Sequence, residues 1–205
     1  MNFAELVAEV TEIVKRPDLA TRISSAVQAA TLKAHSSDYY YRDIRESGVQ
    51  FDAARYVLNF NPRDIFPEFR KLKYLRVWNP DTVPAGVTGE GLGAGSFLTP
   101  ITIGMSQDSY KVDNTDVFYM AGDLIQIRNC VPRQYFLFGA YVHPNVTPEA
   151  YSSWIATDYP WAIIYEACRS VFQAIGFQEQ SADMRAQAAE AYQILRVNSV
   201  GMPGE

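Results

Sequence analysis

The hydrophobic period of this chain changes twice, and that switch limits its fold more than any single motif does. Near the N-terminus Phe3, Leu6, Val7, Val10, Ile13 and Val14 recur at steps of three and four, the spacing of one face of an α-helix. From about Val49 the pattern gives way to RYVLNF, KYLRVW, DVFYMAGDLIQIR and QYFLFGAYVH. These runs are rich in β-branched and aromatic residues and alternate in places, as strands do. Helical spacing returns in WAIIYEACRSVFQAIGF, where Trp161, Ile164, Tyr165, Cys168, Val171, Phe172 and Ile175 paint one apolar stripe. Such a chain has to bury helical stripes against one another and strand faces in a separate layer. The expected fold is α+β and mainly α. Its N- and C-terminal helical pairs form a four-helix bundle, and a small antiparallel β-sheet is inserted between them.

Local signals set the expected boundaries. Asn2, with Glu5 three residues on, reads as a capping box. Pro17 in RPDL stops the first helix but suits the first turn of a second. That second helix carries Leu19, Ile23, Ala26, Val27 and Ala30, with Asp18 and Arg22 spaced to pair at i, i+4. The cluster HSSDYYYRD ends it. Gly122 in MAGDL predicts a tight turn between two strands. Pro160 falls in the first turn of the helix it leads, Asp158 is placed to serve that turn's free amides, and Gly176 suits a left-handed cap at its end. The last helix sets Met184, Ala188, Ala191, Tyr192 and Leu195 on one face, opposite Asp183, Arg185, Gln187 and Glu190. The organisation read from these signals is a helical hairpin over 1–48, a sheet region with a Gly-rich loop over 49–150, a helical pair over 151–197 and a flexible tail over 198–205.

Composition narrows the functional classes. With 205 residues, 48% hydrophobic and 20% charged, the chain has enough apolar material for a packed core. No apolar run reaches the ~20 residues of a membrane span. The first helix holds three glutamates and lacks the layout of a signal peptide, so a soluble protein made in the cytoplasm is expected. Cys130 and Cys168 are far apart and read as small apolar fillers. His35 and His143 have no histidine or cysteine at ligand spacing, so neither a metal site nor a cofactor is expected. Charge is unevenly spread: residues 15–76 hold twelve basic and seven acidic side chains, and residues 77–205 hold six basic and thirteen acidic. Such asymmetry bears on partners rather than on fold.

Catalytic motifs are scarce. GAGSFL around Ser96 is not a nucleophile elbow, since the downstream glycine is missing and no helix follows. GVTGEGLGAGS has glycines alternating from Gly89 to Gly95 and lacks the strand–turn–helix setting of a phosphate loop. It reads as a flexible loop, either a passive tip or a segment that orders against a neighbouring chain. Asp108, Asp113, Asp116 and Asp123 lie among small polar residues and read as solvated; with Asp81 and Glu90 they make 81–123 an acidic protrusion. RDIFPEFRKLKYLR, Arg63 to Arg76, has five basic residues interleaved with aromatics. It reads either as a strand with basic outward side chains or as a DNA-binding segment. Two alternatives therefore stay open, a non-enzymatic DNA-binding protein using 63–76 and a carboxylate-based hydrolase using Asp113 and Asp116.

Two segments carry a family resemblance. YPWAIIYEACRSVFQAIGFQEQSADMRAQAAEAYQIL resembles the C-terminal helical pair of head-to-tail adaptor proteins of tailed phages: a proline-led helix with small and aromatic residues, a glycine stop, then an Ala-rich helix with acids and glutamines. FAELVAEVTEIVKRPDLATRISSAVQAATLKAH is similar to their opening helices, including the RPDL break. The inserted sheet is closer in size to that of the gatekeeper-type adaptors of short-tailed phages. The resemblance implies a structural protein of the virion neck without a catalytic residue, made in the host cytoplasm. It implies a ring, commonly of twelve copies, beneath the portal protein, with a tail, nozzle or tail-completion protein below and DNA passing through the lumen. It also implies a C-terminal segment that enters the portal, here Val197, Asn198, Ser199, Val200, Gly201, Met202 and Pro203. The loop residues Gly89, Gly91, Leu92, Gly93, Gly95 and Phe97 would then meet a neighbouring copy or the tail.

Overall fold

In the computed structural model the described residues are 1–50, 57–78, 96–97, 99–100, 117–128 and 135–199. In chain order, α1 (Phe3–Val14) and α2 (Ala20–Ser36) precede β1 (Ile44–Gln50) and β2 (Val57–Phe60). After the one-turn α3 (Pro62–Ile65) come β3 (Phe69–Trp78), β4 (Ser96–Phe97), β5 (Thr99–Pro100), β6 (Val117–Ala121), β7 (Leu124–Arg128) and β8 (Tyr135–Val142). Helices α4 (Trp154–Asp158), α5 (Pro160–Ala174) and α6 (Gln178–Ser199) follow. The fold is thus mixed helix and strand, of the α+β class. It divides into two units, one formed by Met1–Asp43 with His143–Glu205 and the other by Ile44–Val142.

The helix ends follow local chemistry. Asn2 accepts the Glu5 amide at 2.9 Å while the Glu5 carboxylate accepts the Asn2 amide at 2.9 Å, closing the capping box of α1. Lys15, at φ 55°, takes the left-handed cap at its other end. Asp18 departs from expectation. It sits in a short 3-10 turn ahead of α2, out of phase with Arg22, and pairs with Arg16 instead at 2.8 Å. Asp158 does not cap α5 either, because its carboxylate is taken by the Arg42 guanidinium. Gly176 closes α5 at φ 84°, with the Phe177 amide donating to the Phe172 carbonyl and the Gly176 amide to that of Gln173. This is a Schellman motif, and its customary apolar contact is the stacked Phe172–Phe177 pair.

One core fills the helical unit. Leu6 and Val10 of α1, Ile23 and Val27 of α2, Ile155 of α4, Ile163, Ile164 and Val171 of α5 and Leu195 of α6 are all enclosed in it. Burial of each such aliphatic chain contributes about 1.5–3 kcal/mol. The apolar arc of α5 is wider than its sequence stripe suggests, since Ala162, Ile163 and Ala167 are buried as well. Trp161 falls outside that arc: it is exposed and stacks on Tyr165 at 5.2 Å. Helix α6 buries one narrow stripe, Ser181, Ala188, Leu195 and Ser199, with Met184, Ala191 and Tyr192 packed beside it.

The inserted unit holds two sheets where one was expected. The first has the order β1-β8-β3-β4 and is antiparallel throughout; the second has the order β2-β7-β6-β5, with β5 parallel to β6. Their inner faces share a core of Phe69, Leu75, Phe136 and Phe138 from the first sheet and Phe118, Ile125 and Ile127 from the second. Phe60 bridges the layers, 5.4 Å from Phe138. Pairing starts at Ile44 rather than at Val49, because β1 runs its whole length against β8 although IRESGVQ shows little alternation. Gly122, at φ 61°, makes the turn between β6 and β7 that MAGDL suggests. The ring of Tyr74 lies over its cross-strand partner Gly139 so closely that a Cβ there would meet ring carbons at 2.4–2.7 Å. An aromatic side chain covering a strand glycine in this way supplies packing that the glycine lacks. We predict that Gly139→Ala lowers stability by about 1–2 kcal/mol through displacement of that ring. The loss, measured by urea denaturation, should shrink when Tyr74→Ala is already present.

Candidate functional site

Helix α5 carries one acid into the protein interior, and the groove beside it is built around that acid. Glu166 is 5% exposed. Its Oε1 accepts from Lys33 Nζ of α2 at 2.7 Å and from Arg169 Nη2 and Nε at 2.5 and 3.1 Å. Charge-assisted bonds of this kind are what keep a buried carboxylate tolerable. The hydrogen bond from Arg169 in turn holds that guanidinium's pKa above its usual value. Farther along, Arg196 of α6 donates to the Ser37 carbonyl at 3.0 Å and lies 3.7 Å from Asp38. It thereby serves the carboxyl end of α2, where a cation is favoured.

Between α2, α5 and α6 these contacts frame a groove of about 990 Å³. Lys33, Arg169, Arg185 and Arg196 make its rim cationic, and Ala188, Ala189 and Tyr192 give it an apolar floor. Burial raises the Tyr192 pKa, and its hydroxyl finds no hydrogen-bond partner among the described residues. Arg185 forms no ion pair among them. The groove is therefore suited to an anionic segment with apolar neighbours.

A second cluster was not legible in the sequence. His35 Nδ1 lies 2.8 Å from Asp43 Oδ1, and His35 Nε2 lies 2.9 Å from Ser153 Oγ, with all three side chains buried. The order Asp–His–Ser is that of a hydrolytic triad, and two of its members make further contacts. Ser153 Oγ also accepts the Ala156 amide at 3.1 Å as the N-cap of α4, and Asp43 Oδ1 also accepts the Trp154 indole at 2.7 Å. With Nδ1–H donating to Asp43, the Ser153 hydroxyl donates to Nε2 and every polar atom but Asp43 Oδ2 is used. The cluster is a polar clamp that ties the end of α2 and the turn at 41–43 to the start of α4. Its one sequence signal is the cap pattern SSW before an apolar run; His35 and Ser153 stand 118 residues apart.

The expected contact residues fall in different places. Val197, Asn198 and Ser199 form the last turn of α6, with Val197 exposed and Ser199 buried. Val200, Gly201, Met202 and Pro203 lie outside the described residues, as do Gly89, Gly91, Leu92, Gly93, Gly95, Asp113 and Asp116. Phe97 is in β4, paired through its backbone with Arg76. In the basic segment, Lys71 and Lys73 are exposed and Leu75 and Val77 buried, a strand with basic side chains outward. Among the described residues there is no His, Cys, Asp or Glu group able to hold a metal, and no helix is long and apolar enough to cross a membrane.

Two predictions follow from this geometry. Ser153→Ala removes the α4 cap and strands His35 Nε2, so it should cost about 1–3 kcal/mol in urea denaturation, with Ser153→Thr restoring most of that. Burial pushes the Cys168 thiol from 9.0 up to about 12. Stability gained by keeping this thiol neutral is fully present below pH 9 and is lost as pH rises from there towards 12. The urea midpoint should fall across that window, and Cys168→Ala should make the fall shallower.

No protein-family model matches this chain, and no curated protein matches it either.

Proposed function

We propose that this chain is a structural head-to-tail adaptor of a tailed phage, in which α1, α2, α5 and α6 act as a four-helix bundle and copies assemble as a ring beneath the portal. The observation that carries this reading is the end of α6. Ile194 is 50% and Val197 76% exposed, and a spacing of three sets them on one helix face. Neighbouring aliphatic side chains facing water on one helix face suit a surface that another chain covers. Ile194 stands just before, and Val197 opens, the segment Val197–Pro203 that the resemblance assigns to portal entry. The portal and a tail-completion protein are the proposed partners, and DNA passes through without being bound.

Commitment of Ser153 to a helix cap and of Asp43 to two donors supports a non-catalytic role for the one triad-like arrangement among the described residues. A fluorophosphonate probe should leave Ser153 unlabelled in the folded protein; stoichiometric labelling would make the protein a serine hydrolase. The exposure of Lys71 and Lys73 favours one second reading, DNA binding through β3. That reading requires duplex retardation at low salt that fades steeply at moderate salt. We expect no retardation.

The direct test of the adaptor reading is association of the purified protein with portal rings, together with negative-stain images of particle necks made with and without it. Necks lacking the protein should lose one layer below the portal. Val197→Asp should weaken portal association at least about ten-fold, the effect of a buried apolar contact worth over 1.4 kcal/mol. Portal rings that ignore the wild-type protein would defeat the reading.

A further inference from the structure

The cationic groove needs an occupant, and a surface of the second unit has the matching chemistry. At the turn between β6 and β7, Asp123 is exposed between Met120 and Leu124, which are 39% and 47% exposed. These two are the large apolar side chains that the described part of the Ile44–Val142 unit leaves to water. Asp123 forms no ion pair among the described residues. The tip therefore presents one carboxylate next to Leu124, which shares a face with Ala121, while Met120 lies on the opposite face with Ile125. The groove presents the complement, the cations Arg185, Arg169 and Lys33 above Ala188, Ala189 and Tyr192.

We infer that the β6–β7 hairpin tip of one copy docks into the groove between α2, α5 and α6 of the next, with Asp123 facing Arg185 and Leu124 on the alanine floor. The occupant is a second copy of this chain because the acidic, apolar tip and the basic, apolar-floored groove are both present on each chain. Two different patches meeting in this way make a heterologous contact, which propagates from copy to copy and closes into a ring when the rotation permits. A carboxylate entering the groove also gives the cationic rim the counter-charge that Glu166 and Asp38 supply only in part. The inference rests on the ring reading and names the contact that would make the ring.

The test uses the 205-residue chain in sedimentation velocity over a concentration series. Asp123→Lys spoils the tip at an exposed turn position, while Ala189→Trp fills the groove from an exposed helix position and Arg185→Glu reverses its rim; circular dichroism checks that each variant is folded. Wild type should associate beyond dimers, and each variant alone should stay monomeric at concentrations where wild type associates. An equimolar mixture of Asp123→Lys with Ala189→Trp should give a one-to-one dimer that grows no further, because one intact tip then meets one intact groove. Arg185→Glu should weaken association at least about ten-fold, and combining it with Asp123→Lys in one chain should recover part of that loss. Variants that associate like wild type, a mixture that yields no heterodimer, or a wild type that is monomeric throughout would each overturn this contact. Portal binding separates the two levels: variants that assemble normally on the portal sink the contact and leave the adaptor reading, whereas a wild type that ignores the portal sinks the adaptor reading itself.

Discussion

The helical unit depends on how α5 is enclosed. A helix packed against α1, α2, α4 and α6 can keep one carboxylate inside only if cations come with it. Lys33 and Arg169 do so at Glu166, and this requirement fixes more than a charge balance. It draws the last turns of α2 to the flank of α5 and sets a cationic rim beside the narrow stripe of α6. The groove's floor is small because α6 contributes alanines where the helices approach, and two of its four rim cations, Lys33 and Arg169, are there as partners of the buried acid.

The polar clamp has a similar logic at the place where the chain leaves the helical unit. Asp43 is the last residue of that unit before β1, and Ser153 lies ten residues into the returning segment, which starts at His143. Binding both to His35 fixes the departing and the returning strands of chain to one point on α2. The Arg42 guanidinium adds to this, lying 4.5 Å over the Trp154 ring and paired with Asp158. Two members of the clamp also make a second bond, Ser153 as the cap of α4 and Asp43 to the Trp154 indole.

Several features were legible because both partners sit within one turn of chain. Asn2 with Glu5, Gly176 at the end of α5 and Gly122 between β6 and β7 each express a local backbone demand. The stripe of α6 was likewise readable from spacing alone. Asp18 shows the limit of even local rules: once Pro17 forces a 3-10 turn, Asp18 is out of helical phase and meets Arg16 rather than Arg22. Trp161 shows another limit, because periodicity identifies an apolar arc but not which end of it finds a partner. In the strands, IRESGVQ looks unlike a strand by itself and becomes β1 only because β8 offers a full ladder. The split into two sheets also escaped the sequence, since alternation marks strands without saying which of them pair.

The sequence by itself determined how the first helix is capped, where the helix led by Pro160 stops, and that a β region interrupts the helices. Those properties depend on groups a few residues apart, which the chain holds together whatever else it does. Tertiary structure alone decided that Lys33 meets Glu166 across 133 residues, that His35 meets Ser153 across 118, and that a cationic groove opens where three helices converge. Such meetings are set by the packing of whole elements, and no spacing along the chain encodes which faces will end up opposite each other.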